Sequence, residues 1–343
     1  MKNNLIKTLL LITTLTGVLT SCGNKNDDSS SINSESSSGE EISSETPKEY
    51  ISLGRYPQSK VSEETLIASL NESAGELPTI EDKKSWTDYG YYSEGKISSY
   101  MYYIDIDTNQ DDQMDYRGVY MTSYRPHTTE LASSEDNSIQ DDNGYLINNV
   151  YWFKYEDISW EVIVKDSSKA LIVSDLIIDS QDYNYRTDTH KGDQDYQGNT
   201  TDEFIRSNNY MYSYIRTWLN TSFYQTAFSS SDKTKILTTS VDNSSSSTNP
   251  SAANYACSNT EDKIFLLSYS EVLNYGIETK LGSDYSKAQG LVVSSKNNAS
   301  SYILRSPTSF QDQNYGVSNY GITYNNYINS TLTGVCPACY ISL

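Results

Sequence analysis

The chain has 343 residues, a formal net charge of −20 and a pI near 4.4. A surface that acidic repels phosphate backbones and anionic headgroups, which excludes nucleic acid as a partner. Only two histidines, His127 and His190, leave little room for His-based acid–base catalysis or a His-rich zinc site, whereas 31 tyrosines describe a folded, polar body.

The first residues, MKNNLIKTLLLITTLTGVLTSC, place Lys2 and Lys7 around the start of a short apolar run that ends in small residues before Cys22. That order is a secretory signal, 1–21, and the run is too short and too Thr-interrupted to span a membrane comfortably. Leu19-Thr20-Ser21-Cys22 resembles a bacterial lipobox, in which cleavage precedes the cysteine and its thiol receives a diacylglycerol anchor. The expected location is the bacterial cell surface, held to the membrane through lipidated Cys22. Residues 22–48 are rich in Ser, Asn and Glu and almost free of apolar side chains, so they predict a flexible tether. The folded part is expected from about residue 49 to 343.

Within it, EYISLGRYPQ (49–58) predicts a strand ending at a Pro turn, and VSEETLIASLNE (61–72) a short helix capped by Ser62. SYMYYIDID and YRGVYMTSYRP, within 100–126, predict a hairpin. Three strands follow: NVYWFKYE (149–156), SWEVIVKD (159–166) and KALIVSDLIID (169–179). The acidic stretch 180–206 is expected as a solvated surface loop, with Asp182, Asp188, Asp193, Asp195 and Asp202 around His190. Met211, Tyr214, Ile215, Trp218 and Leu219 then recur at helical period, with Ser207 or Asn208 as cap. KIFLLS (263–268) predicts a buried strand, SEVLNYG a helix, and the remainder short strands up to YISL. One α+β domain with short antiparallel strands, one or two main helices and long loops is the economical architecture.

Two clusters invite chemistry. In DIDTNQDDQMD (105–115), Asp105, Asp107, Asn109 and Asp111 alternate oxygen ligands at the spacing of calcium loops, although Gln110 stands at the turn position and Tyr116 where a bidentate Glu would be. The competing reading is a solvated hairpin tip. No other cofactor is suggested. At the C-terminus, Cys336 and Cys339 in GVCPACYISL lie three apart. On a strand they face opposite sides, with Cα atoms about 10 Å apart, beyond the roughly 7 Å reach of a disulfide. Secretion permits a bridge, so one disulfide among Cys257, Cys336 and Cys339 is expected, from Cys257 to the terminal strand. Arg305 in LRSP is expected to pair or bind carbonyls within the scaffold.

The landmarks ISLGRYPQ, YWFKYEDISWEVI, LIIDSQDY, YIRTWLN, KIFLLSYSEV, YILRSPTS and GVCPACYISL, in this order, resemble a family of uncharacterised bacterial surface domains. The resemblance covers about residues 49–343. It implies a C-type-lectin-like fold, shared with formylglycine-generating enzymes, in which the first and last strands pair. It transfers no functional residue. The sequence departs from the family at Tyr302-Ile303, where Trp-Trp is usual, and at Cys336 and Cys339, where Arg and a bulky apolar residue are usual. The favoured function is a non-enzymatic, membrane-anchored binding or structural surface module, any ligand being an extracellular glycan or protein met through tyrosine-rich polar surface. The alternative is a formylglycine-generating-enzyme-like oxidoreductase using Cys336 or Cys339 as a copper-bound thiolate.

Overall fold

The computed structural model describes residues 47–343 except 80, 90, 94–95, 99–100, 123–138, 141–143, 192, 294–298, 319–320 and 331. For 91–93, 96–98, 139–140 and 323–325 the backbone alone is described. Cys22, the signal region, most of the tether and His127 lie outside these residues. Pro47–Leu343 forms one compact unit.

Its centre is one long strand. The segments YWFKYE and SWEVIVK, expected as two strands, run on as one, β4 (Val150–Lys165), because Glu156 and Asp157 stay in register with a neighbour instead of turning. Strand β1 (Tyr50–Lys60) pairs antiparallel with the middle of β4, while β3 (Tyr116–Met121) pairs with its start and β5 (Lys169–Ser174) with its end. β2 (Met101–Ile106) completes the expected hairpin with β3. At the other side of the sheet, β10 (Pro337–Ser342) pairs with β5 and with β6 (Phe265–Leu266). A separate three-stranded sheet holds β7 (Tyr302–Pro307), β8 (Gln313–Ser318) and β9 (Gly321–Tyr327). The architecture is α+β, with mostly short antiparallel strands and few helices.

The first and last strands share the main sheet but do not pair, which corrects the expectation carried by the family resemblance. β4 and β5 lie between them, because the long β4 offers β1 an edge of its own.

Helix α1 (Glu64–Ala74) has Glu63 rather than Ser62 at its cap position, with no side-chain cap bond, and buries Leu70 and Ala74 against Trp86, Tyr102 and Trp152. Burial of Leu70 contributes about 1.5–3 kcal/mol. The stretch expected as one continuous helix is broken. A 3-10 turn at Tyr210–Tyr212 stops at Ser213, which caps α2 (Tyr214–Trp218) by accepting from the Arg216 amide. A π-helical turn, Leu219–Phe223, then leads into α3 (Tyr224–Ala227). Ser213, not Ser207 or Asn208, is therefore the cap. Two short helices obey their local signals: α4 (Ser230–Lys235) and α5 (Tyr269–Tyr275) both start in reciprocal capping boxes, Ser229 with Asp232 and Ser268 with Glu271. Helix α6 (Asp284–Ala288) packs beside β1.

Candidate functional site

The GRYPQ segment shapes a polar cleft. Gly54 has φ +73° and lies in a register shift of the β1–β4 pairing. A Cβ there would stand 2.6 Å from both the Ala227 carbonyl and the Phe228 ring. Only glycine lets β1 approach the end of α3 this closely. The next residue, Arg55, lines a cleft of about 410 Å³ together with Tyr155 and Phe228. Its guanidinium donates to the Tyr155 carbonyl at 3.0 Å and to the Met114 carbonyl at 3.4 Å. The hairpin tip contributes Asp112 and Gln113, and the α3–α4 corner contributes Gln225 and Asp232.

Behind the cleft lies a buried cage. Arg117, on β3, donates to both oxygens of Asp105 at 2.7 Å and to the hydroxyls of Tyr155 at 2.9 Å and Tyr285 at 3.2 Å. The ring of Tyr103 lies 4.3 Å from its guanidinium carbon. Burial alone would lower the Arg117 pKa, but Asp105, Tyr155 and Tyr285 together outweigh it and hold the group well above its ordinary value. Next to it, Tyr56 donates to Asp179 at 2.6 Å, as does Tyr89. Burial, and then the Asp179 charge, push the Tyr56 hydroxyl far up. Much of the tyrosine content is thus interior: Tyr56, Tyr102, Tyr155, Tyr183, Tyr210 and Tyr285 are all buried. Tyr56 meets the Asp179 carboxylate, Tyr155 and Tyr285 meet the Arg117 guanidinium, and Tyr183 meets the Asn208 and Arg305 carbonyls.

The calcium-type residues are placed apart in role. Asp105 belongs to the cage with Arg117. Asp107 accepts from the backbone of Gln110, Asp111 and Asp112; Asn109 accepts from Asp111, and Asp111 from Gln113. The three loop residues fold the tip upon itself, and Asp105 does not join them. Among the described residues no group of three or more His, Cys, Asp or Glu is arranged to hold a metal ion.

The segment 180–206 is solvated only in part: Asp188 and Asp202 are exposed and Asp193 is half-buried, whereas Asp182, His190 and Asp195 are buried. His190 sits between the Asp188 carbonyl, 2.9 Å from Nδ1, and the Asp193 carboxylate at Nε2. Asp195 pairs at 3.2 Å with Arg216, which also holds Asp262 at 2.8 Å. A remote arginine thus pulls the acidic segment inward. Burial raises Asp195, but Asn199 and Arg216 together bring it below its ordinary range. Asp262, in the same pair, stays raised because burial dominates there.

Among the described residues the three thiols, Cys257, Cys336 and Cys339, are free. Cys257 is half-buried and its sulfur faces the Met211 and Tyr210 amides; Cys336 lies 3.2 Å from the Ser174 hydroxyl; Cys339 sits opposite Ile172. The expected bridge from Cys257 to the terminal strand is absent, since each sulfur occupies its own packed environment. Burial pushes all three thiols up, which opposes thiolate formation.

The other landmark residues tie the scaffold together. Asn220 donates to the Arg216 and Ile264 carbonyls and accepts from the Lys263 and Ile264 amides. Arg305 donates to the Leu266 carbonyl at 2.6 Å, the Asp242 carbonyl at 3.1 Å and the Glu271 carboxylate at 2.6 Å. Sequence alone missed the Arg55 cleft; its signal was a Gly-Arg pair on a strand that pairs with aromatic β4.

Residues 167–343 match a family described as a domain of unknown function, DUF6273. The chain belongs to this family. No curated protein and no solved structure matches it. The DUF6273 segment begins just before β5 and holds Arg216, Asn220, Arg305 and the terminal strand. Arg55, Asp105 and Tyr155 precede it, so the cleft is built jointly by the matched segment, through α3 and α4, and by the strands before it.

Proposed function

We propose that the chain is a surface lipoprotein, anchored through a lipid on Cys22 and a tether over 22–48, whose folded module binds an extracellular glycan in the Arg55 cleft without catalysis. The carrying observation is that cleft: Arg55 supplies donors, Asp112, Asp232 and two glutamine amides supply further polar groups, and Tyr155 and Phe228 are part of its lining. Mixed donors and acceptors beside aromatic residues suit a hydroxyl- and amide-bearing ligand. A divergent C-type-lectin-like plan is part of this proposal, supported by both ends of the unit entering one sheet. The oxidoreductase alternative finds little support, because Cys336 and Cys339 are buried and raised.

Two experiments test it. Radiolabelled palmitate should be incorporated by the full chain in bacterial cells and not by Cys22→Ala. On a glycan array, the detergent-purified full chain should bind a subset of glycans, with Arg55→Ala and Asp112→Asn weakening that subset about tenfold. An array that stays blank, or binding indifferent to both variants, rejects the cleft as the site.

A further inference from the structure

A second groove, of about 430 Å³, lies where the start of α5 meets β8 and the loop after β7. None of its eight lining residues is charged, on a chain of net charge −20. Tyr269 and Tyr315 lie with ring centroids 4.9 Å apart, and Phe310 joins them with 59% of its surface exposed. A large exposed ring is ordinary on a loose loop, but this loop is tightly held. The buried Asn208 amide donates to the carbonyls of Thr308 at 3.2 Å, Phe310 at 2.9 Å and Gln313 at 3.0 Å. Arg206 donates to the Ser309 carbonyl at 2.7 Å, and the Thr308 hydroxyl accepts from the Phe310 amide. The ring is therefore presented to solvent on a backbone ordered in advance, which lowers the cost of binding.

The polar groups around the rings are placed as well. Asn249 accepts from the Ser251 amide and donates to the Tyr269 hydroxyl at 2.8 Å. With its lone pair used in this way, the Tyr269 hydroxyl keeps its own proton to donate outward.

We propose that the Tyr269–Tyr315–Phe310 groove is a second binding site, for a neutral polysaccharide. Ring faces match the C–H faces of pyranose rings, and neutral hydroxyl and amide groups match sugar hydroxyls. An anionic or cationic polymer would find no counter-charge within the groove.

Affinity electrophoresis of the detergent-purified full chain through gels containing a neutral β-glucan or a neutral α-mannan tests this. The expected result is retardation by at least one of them that persists in molar salt. Phe310→Ala, on an exposed side chain, should weaken retardation about tenfold at unchanged melting temperature, and Tyr269→Phe by a few-fold. In the Arg55→Ala background the Phe310→Ala loss should persist, which separates this site from the first cleft. No retardation by either neutral polymer, retardation only by alginate or chitosan, selection of an apolar peptide in place of either sugar, or retardation insensitive to Phe310→Ala would each overturn the assignment.

Discussion

Arg117 grips both carboxylate oxygens of Asp105 at 2.7 Å from inside a cage of tyrosines. Arg117 is 4% exposed, so its charge has no substitute partner in water. Asp105→Asn keeps the shape and removes the countercharge. Breaking one side of such a pair costs about 3–5 kcal/mol, and the partial exposure of Asp105 places this case at the lower end. Thermal unfolding of the variant should show a drop of several degrees; an unchanged midpoint would show that the cage does not depend on the pair.

Acid should act through Glu271. Burial alone would raise its carboxyl, but Arg305 and the Ser268 amide together hold it below the usual glutamate value. As pH falls, the unfolded chain therefore takes up this proton first. Stability from the group is complete above the unfolded value of about 4.3 and is lost as pH drops through the lower folded value. Glu271→Gln should lower stability at neutral pH by about 1–3 kcal/mol and flatten its dependence below pH about 4.5. Urea unfolding of both proteins at neutral and acidic pH reads the difference, and parallel curves would refute the linkage.

Elements whose signals are local were legible in the sequence. The hairpin of β2 and β3 followed from strand segments around a polar tip, and α5 from the SEVLNYG segment, which ends at the left-handed Gly276. What failed depended on distant partners. Asp182, Asp195 and His190 look solvated because nothing adjacent predicts that Arg216 and the core will enclose them. β4 looks divided because Glu156 and Asp157 resemble a turn, yet pairing with β1 keeps them extended. Of the site, Arg55 could be read as part of a motif but not as the wall of a cleft. Its position depends on Ala227 and Phe228, which meet Gly54 only in the folded chain.

That close approach yields a further test. Gly54→Ala must adopt a left-handed conformation and also displace the Ala227 carbonyl and the Phe228 ring. Left-handed strain of about 1–2 kcal/mol adds to overpacking of about 1–3 kcal/mol. The variant should unfold several degrees earlier and, as Phe228 is pushed aside, lose glycan binding at the Arg55 cleft while keeping the Phe310 groove. A variant as stable as the parent would mean that β1 does not pack so tightly.

The terminal cysteines differ in how they would tolerate a hydroxyl. The Cys336 sulfur has the Ser174 hydroxyl at 3.2 Å and donates to the Ser174 carbonyl at 3.4 Å, so serine at 336 finds partners in place. Cys339 is raised by burial alone, with no polar neighbour contributing, so serine at 339 would bury an unpaired hydroxyl at a cost of about 1–3 kcal/mol. Cys339→Ser should therefore be clearly more destabilising than Cys336→Ser by chemical denaturation. Mass mapping without reductant should find Cys257, Cys336 and Cys339 all unpaired, and iodoacetamide should modify the two terminal thiols only on unfolding. Rapid alkylation of Cys336 or Cys339 in the native chain would place a reactive thiolate at the surface and reopen thiol chemistry, because accessibility and an ordinary or lowered pKa are what such chemistry requires.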